Sequence, residues 1–151
     1  MTQQYRATTM ATKGMVTTPH YLASQAALAI LHKGGNAIEA AIAAASTIAV
    51  VYPHMNSIGG DNFWLVYNAK TKEVKALNSS GRAGHKATID FYKEQGYSKI
   101  PTRGPLAANT VPGAVAGGGE ACGWGTGERD GTVQRAGLLE RAMRDAKEGF
   151  S

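Results

Sequence analysis

An apolar stripe at helical spacing predicts a first α-helix, which begins near residue 18 and ends near residue 34. Thr18 is expected to cap the free amides at its start, and Pro19 suits the first helical position. Gly34 and Gly35 end the helix, because glycine readily adopts the left-handed conformation that follows a helix. The residues that share the apolar face are Leu22, Ala26, Ala29 and Ile30.

A second helix follows after one short turn and is predicted to end at Pro53. Asn36 and Glu39 form an Asn-x-x-Glu variant of the capping box, in which each residue satisfies a free amide near the helix start. Pro53 forces Tyr52 out of helical geometry. The interior is rich in small residues, so the helix is expected to be covered on most sides. Its apolar positions are Ile38, Ala41, Ile42, Ala45, Ile48 and Ala49.

A nearly continuous apolar and aromatic run over residues 62–67 predicts a strand that is buried on both faces. Phe63 and Trp64 are interpreted as core residues of this strand. Residues 69–72 form a polar turn and residues 73–77 a second strand, so the pair predicts a β-hairpin.

The remaining segments are less regular. Residues 8–17 alternate small, polar and apolar side chains and predict an edge-type strand or two short ones. A short helix is expected over residues 88–95, an irregular stretch over 96–109, a flexible glycine-rich loop over 117–131 and a last helix over 136–148. The elements together predict an α+β fold in one domain.

Composition excludes several classes of protein. The chain has 151 residues, 43% hydrophobic and 18% charged, which argues against disorder and coiled coil. The lone Cys122 excludes an internal disulfide. The net charge of +5 comes from scattered bases, which are expected to keep the chain in solution rather than to bind nucleic acid. The longest apolar run is about thirteen residues, against about twenty for a membrane helix. No signal peptide is recognisable, which slightly favours the cytoplasm.

The residues that most often carry metal or phosphate chemistry do not form a site in this sequence. The four histidines, His20, His32, His54 and His85, have no ligand-like spacing, so neither a metal nor another cofactor is predicted. Cys122 is interpreted as an exposed, inert thiol rather than a nucleophile. Residues 123–127 lack the lysine of a phosphate loop.

Two loops are candidates for binding. Residues 58–62 contain glycines through which a second chain or a substrate can approach the backbone closely. Residues 78–82 follow the predicted hairpin and end in Arg82, whose guanidinium is suited to a substrate carboxylate. A solvated arginine in a polar loop is the alternative interpretation of Arg82.

The order of several short blocks resembles the γ-glutamyltranspeptidases and related acylases. The most specific block is Ala29-Ile30-Leu31-His32-Lys33-Gly34-Gly35-Asn36-Ala37-Ile38-Glu39-Ala40-Ala41. The others are Gly14-Met15-Val16, His20-Tyr21-Leu22-Ala23-Ser24, Val51-Tyr52-Pro53-His54, Ile58-Gly59-Gly60-Asp61-Asn62-Phe63-Trp64-Leu65-Val66-Tyr67 and Val111-Pro112-Gly113-Ala114-Val115-Ala116-Gly117. The blocks cover most of residues 7–117.

The resemblance implies an N-terminal nucleophile (Ntn) hydrolase with an αββα sandwich, of which residues 1–151 are the N-terminal portion of the large subunit. Such enzymes are made as a zymogen precursor that cuts itself, and the new N-terminal threonine of the small subunit attacks a γ-glutamyl amide such as that of glutathione. No threonine of this chain has the family's self-cleavage context, so the nucleophile is expected to lie outside it. The implied partners are the small subunit and a small-molecule amide, and the chain alone is expected to be inactive.

One substrate-binding residue can be carried over from the family. The large subunit supplies an arginine after the second hairpin strand that holds the substrate's α-carboxylate. An ungapped alignment puts Ser80 at that place, with Arg82 two residues later. The Ser-Gly-Arg-Ala form is closer to the acylases, so a glutaryl-type acyl group is an alternative to γ-glutamyl. The sequence of residues 118–135 is a second place where this chain differs from the usual family pattern.

Two other functions are left open by the residues. A non-catalytic α+β module could bind a partner through an exposed sheet edge, and it would be monomeric and melt cooperatively. A basic nucleic-acid binder would show salt-dependent binding to DNA.

Overall fold

The computed structural model describes residues 8–125 and 135–150, which form an α+β fold. The described residues form two compact units, one made of residues 8–53, 125 and 135–150 and the other of residues 54–124. No helix among the described residues has the length and apolar character to cross a membrane. The elements are α1 (Tyr21–His32), α2 (Ala37–Val51), β1 (Asn62–Asn68), β2 (Glu73–Ser79), α3 (Ile89–Glu94), a 3₁₀ turn (Pro105–Ala107), α4 (Ala114–Gly125) and α5 (Arg135–Glu148).

Helix α1 begins two residues later than the sequence predicts, and Thr18 is not its cap. His20 is the N-cap, and its Nδ1 accepts a hydrogen bond of 3.3 Å from the Leu22 amide. The Thr18 hydroxyl is engaged elsewhere, since it donates to the His20 carbonyl at 2.6 Å and lies 2.7 Å from the Ser24 hydroxyl. The predicted end is confirmed by Gly34, which has a φ of +87°.

The capping box of α2 is confirmed atom by atom. The side-chain oxygen of Asn36 accepts from the amides of Ile38 at 2.9 Å and Glu39 at 3.0 Å. In return, the Glu39 carboxylate accepts from the Asn36 amide at 2.8 Å. The helix ends at Val51, directly before Tyr52 and Pro53, as predicted.

Small side chains build the core of the first unit. Helices α1 and α5 both pack against α2, and close approach is possible because most of the contact residues are alanines. The predicted last helix is confirmed as α5, in which Arg141 donates to the buried carboxylate of Asp145 one turn later. The core residues are Ala27, Ile30, Ala40, Ala43, Ala44 and Leu138.

The hairpin is confirmed, but the prediction that β1 is buried on both faces is wrong. The two strands pair antiparallel from Asn62 opposite Ser79 to Asn68 opposite Glu73. Along β1 the burial alternates, with Trp64 half-buried and Phe63 exposed by 65%. The sheet contains two strands among the described residues. Phe63 is therefore not a core residue of the structure, because nothing described covers its side of the hairpin.

Most of the predicted glycine-rich loop is helix α4 instead. The helix covers residues 114–125, and the rest of the predicted loop lies outside the described residues. Each glycine inside a helix costs about 1 kcal/mol relative to alanine, so the sequence disfavours this helix. Here Gly117 is needed, because a Cβ at that position would lie 2.7 Å from the Ser79 Cβ. Cys122 lies in this helix and is 6% exposed, which corrects its interpretation as an exposed thiol.

The short helix after residue 88 is confirmed as α3, with the Thr88 hydroxyl accepting from the Phe91 amide. The predicted strand over residues 8–17 is wrong in one respect, since no residue of this segment forms a strand ladder with the rest of the described chain. The side chains nevertheless alternate, because Val16 and Thr18 are half-buried whereas Met15 and Thr17 are exposed.

Candidate functional site

The loop that carries Arg82 is fixed through its backbone. The Val111 amide donates to the Arg82 carbonyl at 2.8 Å, and Ala83 forms an antiparallel bridge with Thr110. One residue further on, the Gly84 amide donates to the Asn109 carbonyl at 2.9 Å. The loop is therefore held by residues about thirty positions later in the sequence.

Two glycines allow the backbone of residues 79–81 to lie close to the backbone of residues 111–113. Gly81 has a φ of +81°, and a Cβ at its position would lie 1.7 Å from the Val111 carbonyl oxygen. A Cβ on Gly113 would lie 1.9 Å from the Ser79 carbonyl oxygen. The Ser79 hydroxyl completes the junction by donating to the Gly113 carbonyl at 2.8 Å. Neither position accepts a side chain without movement of the backbone.

The glycine turn before β1 joins the same junction. The Gly60 carbonyl accepts from the amides of Gly113 at 3.1 Å and Ala114 at 3.0 Å, at the start of α4. The Ser57 hydroxyl accepts from the Gly59 amide and holds the turn itself. Both loops singled out in the sequence, residues 58–62 and 78–82, are thus brought together with the N-terminus of α4.

The side chain of Arg82 is available at this junction. It is exposed, and its guanidinium has neither an ion pair nor a hydrogen bond within residues 8–125 and 135–150. Ser80, at the position given by the ungapped alignment, is half-buried, and its amide donates to the Asn78 side chain at 3.0 Å. A free guanidinium on a fixed backbone suits a carboxylate, with which it can form two parallel hydrogen bonds.

The junction also contains a polar group that the sequence analysis missed. The Oδ1 atom of Asn62, at the start of β1 opposite Ser79, is buried and has no hydrogen-bond partner in the described chain. It lies 2.8 Å from the point where a Cβ of Gly117 would stand. The signal that could have found it is Gly117 itself, because a glycine inside a helix often marks the close approach of another group.

A comparison with known protein families places the whole chain. The γ-glutamyltranspeptidase family model matches residues 23–151. The chain is a member of the γ-glutamyltranspeptidase family. This confirms the resemblance that the sequence blocks indicated.

Two curated relatives show how much of such a protein the chain represents. It is 49% identical over 140 residues to the glutathione hydrolase-like YwrD proenzyme of Bacillus subtilis, covering 92% of this chain and 25% of the relative. It is 54% identical over 112 residues to the oxamate amidohydrolase proenzyme of Klebsiella pneumoniae, covering 74% of this chain and 21% of the relative. The chain therefore spans about a quarter of the length of these relatives.

Solved structures confirm the fold class. The γ-glutamyltranspeptidase of Helicobacter pylori superposes with a TM-score of 0.80 at 32% identity, over 96% of this chain and 40% of that one. A cephalosporin acylase from Bacillus halodurans gives a TM-score of 0.75 at 40% identity, over 85% of this chain and 23% of that one. The described elements are thus part of an Ntn-hydrolase fold.

The other candidates from the sequence are not brought together. Within the described ranges no group of three or more histidine, cysteine, aspartate and glutamate side chains is arranged to hold a metal ion. Residues 123–125 of the glycine-rich motif belong to α4, and residues 126 and 127 lie outside the described residues. The junction around Arg82 is therefore the strongest candidate site in this family member.

Proposed function

We propose that this chain is the N-terminal portion of the large subunit of an amidase that transfers or hydrolyses a γ-glutamyl or related acyl group. In this proposal Arg82 binds the carboxylate of the acyl donor, and the threonine nucleophile lies outside residues 1–151. The observation that carries the proposal is the fixed backbone and free guanidinium of Arg82 at the junction of β1, β2 and α4.

In the proposed reaction, the threonine carries out the bond-breaking step and the residues of this chain bind the substrate. The threonine hydroxyl of the small subunit attacks the amide carbon, and its proton passes through the threonine's own α-amino group to the departing amine. Water or an acceptor amine then takes the acyl group from the ester. The residues described here bind and orient the donor before the attack, since a well-placed substrate reacts far faster than a free one.

The proposed substrate is a small amide whose acyl part carries a carboxylate. The relatives' names mention glutathione and oxamate, and both compounds have a free carboxylate near an amide. A single arginine that binds the carboxylate of the donor serves such acyl groups, whether γ-glutamyl or glutaryl. The names support this class of substrate without choosing one member of it.

The test is Arg82→Ala in the full-length enzyme, assayed with a carboxylate-bearing amide. A hydrogen bond to a charged group contributes about 1.5–3 kcal/mol, so its loss predicts a rise in KM of about 10–150-fold. Arg103→Ala is the matched control, because Arg103 is another exposed arginine of the same unit. An unchanged KM in the Arg82 variant rejects the proposed role, and so does an equal rise in both variants.

The non-catalytic binding module is the alternative function. The exposed apolar side of the hairpin is expected of a fragment that lacks its partner chain, and the same side would be the binding surface of a module. Phe63, Leu65 and Tyr67 are each more than half exposed along β1. Such a face marks an interaction surface in a protein that works through a partner. Turnover by the full-length enzyme excludes the module as the whole function, whereas a monomeric, cooperatively melting chain without any turnover supports it.

A further inference from the structure

One side of the hairpin, here called the inner face, is formed by alternate residues of the two strands. On β1 the residues of this face are half-buried, whereas Phe63 and Leu65 between them are exposed. The inner face consists of Asn62, Trp64 and Val66 on β1 and of Ser79, Leu77 and Lys75 opposite them on β2.

Helix α4 lies along the inner face. Near its start, a Cβ on Gly117 would lie 2.8 Å from the Asn62 Oδ1 atom. Two turns later, the ring of Trp124 has its centroid 5.9 Å from the Nζ atom of Lys75. Trp64 lies between these two contacts along the hairpin, so the middle of α4 covers it.

Two polar atoms under this helix lack a partner. The Oδ1 atom of Asn62 and the Nε1 atom of Trp64 are both buried from solvent, and neither has a hydrogen-bond partner in the described chain. The first can only accept a hydrogen bond and the second can only donate one. Buried polar groups are almost always paired, either with protein or with an ordered water, because an unpaired group costs free energy.

The spacing of these two residues suits a water molecule. Neighbouring positions on one face of a strand are about 6.6 Å apart along the backbone. This distance is comparable to the span of one water molecule with a hydrogen bond of about 2.9 Å on each side. A water can donate to the Asn62 oxygen and accept from the Trp64 indole at the same time.

The Ser79 hydroxyl is a third group at this place. It uses its only proton to donate to the Gly113 carbonyl at 2.8 Å, so its lone pairs remain able to accept. Its Oγ atom and the Asn62 Oδ1 atom lie within 2.9 Å of the same point, the position of a Cβ on Gly117. One donor and two acceptors therefore face the same region, and a buried water typically makes about three hydrogen bonds.

We propose that Asn62, Trp64 and Ser79 bind one buried water molecule between the hairpin and α4, and that this water positions the loop that carries Arg82. The water donates to the Asn62 and Ser79 oxygens and accepts from the Trp64 indole. The second part rests on the proposed function, since it takes Arg82 as the residue that binds the donor.

The link to Arg82 runs through the Ser79 hydroxyl. The bond from Ser79 to Gly113 joins the end of β2 to the start of α4. Two residues before Gly113, the Val111 amide holds the Arg82 carbonyl at 2.8 Å. A water that fixes the Ser79 hydroxyl therefore stabilises both ends of this connection. Asn62 and Trp64 are positioning residues in this proposal, because they act through the loop.

A rotated side-chain amide is a poorer explanation of the same atoms. Turning the amide of Asn62 by half a rotation would place its nitrogen where it donates to the Ser79 hydroxyl. The Trp64 indole would then still lack an acceptor. The water satisfies all three groups, whereas the rotation satisfies two.

The first test is a high-resolution crystal structure of the full-length enzyme and of two variants. We expect a water within hydrogen-bond distance of all three side chains in the wild type, and no water there in Asn62→Leu, which removes an acceptor. Trp124→Phe is the control, because Trp124 is the other tryptophan of this unit and its indole nitrogen is not among the buried unpartnered atoms. A direct bond from Asn62 to Ser79 or Trp64, or another side chain in place of the water, overturns the proposal.

Thermal melting of the full-length enzyme tests whether the two residues share a partner. Asn62→Leu and Trp64→Phe each leave the other group buried with one partner fewer, whereas the double variant removes both polar groups. We expect the double variant to melt no lower than the less stable single variant, because the second change removes an unpaired group. Losses that add in the double variant contradict a shared water.

Kinetics test the positioning role, with a γ-glutamyl anilide as the probe. We expect KM to rise severalfold in Asn62→Leu and Trp64→Phe with kcat little changed, since the nucleophile lies outside this chain, and we expect Trp124→Phe to match the wild type. An unchanged KM in the first two variants rejects the positioning role. The water in a full-length enzyme without turnover supports the water site and rejects the proposed function, and turnover without the water does the reverse.

Discussion

The two units of this chain bury their apolar side chains to different extents. In the first unit, α1, α2 and α5 bury a continuous set of alanine and aliphatic side chains against one another. In the second unit, the hairpin exposes Phe63, Leu65, Tyr67 and Val74 on one side. Helices satisfy their backbone hydrogen bonds locally, so a few of them can close a core, whereas a two-stranded sheet depends on what covers it.

This difference shows which residues determine the fold of each unit. The helical unit is specified by periodicity and caps within short stretches, and its packing partners are present among the described residues. The hairpin has the composition of a covered strand, but its Phe63 side has no cover among those residues. An apolar strand pattern therefore predicts that the strand surface is covered by other chain. It does not show that the covering residues are among these 151.

The largest expected effect comes from truncating the helical core. Ile30 is 3% exposed, and Ile30→Ala leaves a cavity that the neighbouring helices fill only in part. We expect the free energy of unfolding to fall by about 2–5 kcal/mol in urea denaturation of the 151-residue chain. Leu65→Ala is the matched change on the hairpin, where Leu65 is 78% exposed, and should cost less than about 0.5 kcal/mol. Equal losses in the two variants would show that the hairpin face is already covered in solution.

A smaller effect is expected at the junction that holds Arg82. Gly113→Ala introduces a Cβ that would meet the Ser79 carbonyl oxygen, and the backbone must move to accept it. We expect a loss of about 1–3 kcal/mol in thermal unfolding, together with a higher KM in the full-length enzyme. Gly118→Ala is the control within α4, because no atom lies within 4 Å of the point that its new methyl group would occupy; it should stabilise the helix by up to about 1 kcal/mol. A Gly113 variant as stable as the control contradicts the close approach described here.

The fold was predictable where the signals are local. The capping box of Asn36 and Glu39, the stop at Pro53 and the hairpin turn all depend on neighbours within a few residues, and each is found in the structure. Helix α4 was missed because its glycines disfavour a helix, while the contacts that offset this come from Gly60 and Ser79, far away in the sequence.

The candidate site was predictable only in part. Arg82 follows a strand in a polar loop, and this much can be read from the sequence together with the family resemblance. The hydrogen bond between the backbones of Arg82 and Val111 could not be predicted, because neither segment contains a sequence signal for pairing with the other. The same holds for Asn62, whose buried side-chain oxygen depends on the approach of Gly117.

The smallest effect on stability, and the sharpest test of the comparison, concerns the exposed face itself. The double change Phe63→Ser and Leu65→Ser removes two large apolar side chains that contribute little to folding of the 151-residue chain. We expect binding of a hydrophobic dye and self-association in sedimentation to fall severalfold, with thermal unfolding nearly unchanged, because contiguous apolar surface drives both. Ile89→Ser is the control, since Ile89 is 75% exposed but belongs to α3 and not to the hairpin. Equal dye binding in the double variant and the control would show that the hairpin is not a surface awaiting a partner, and the contrast between the two units would then need another cause.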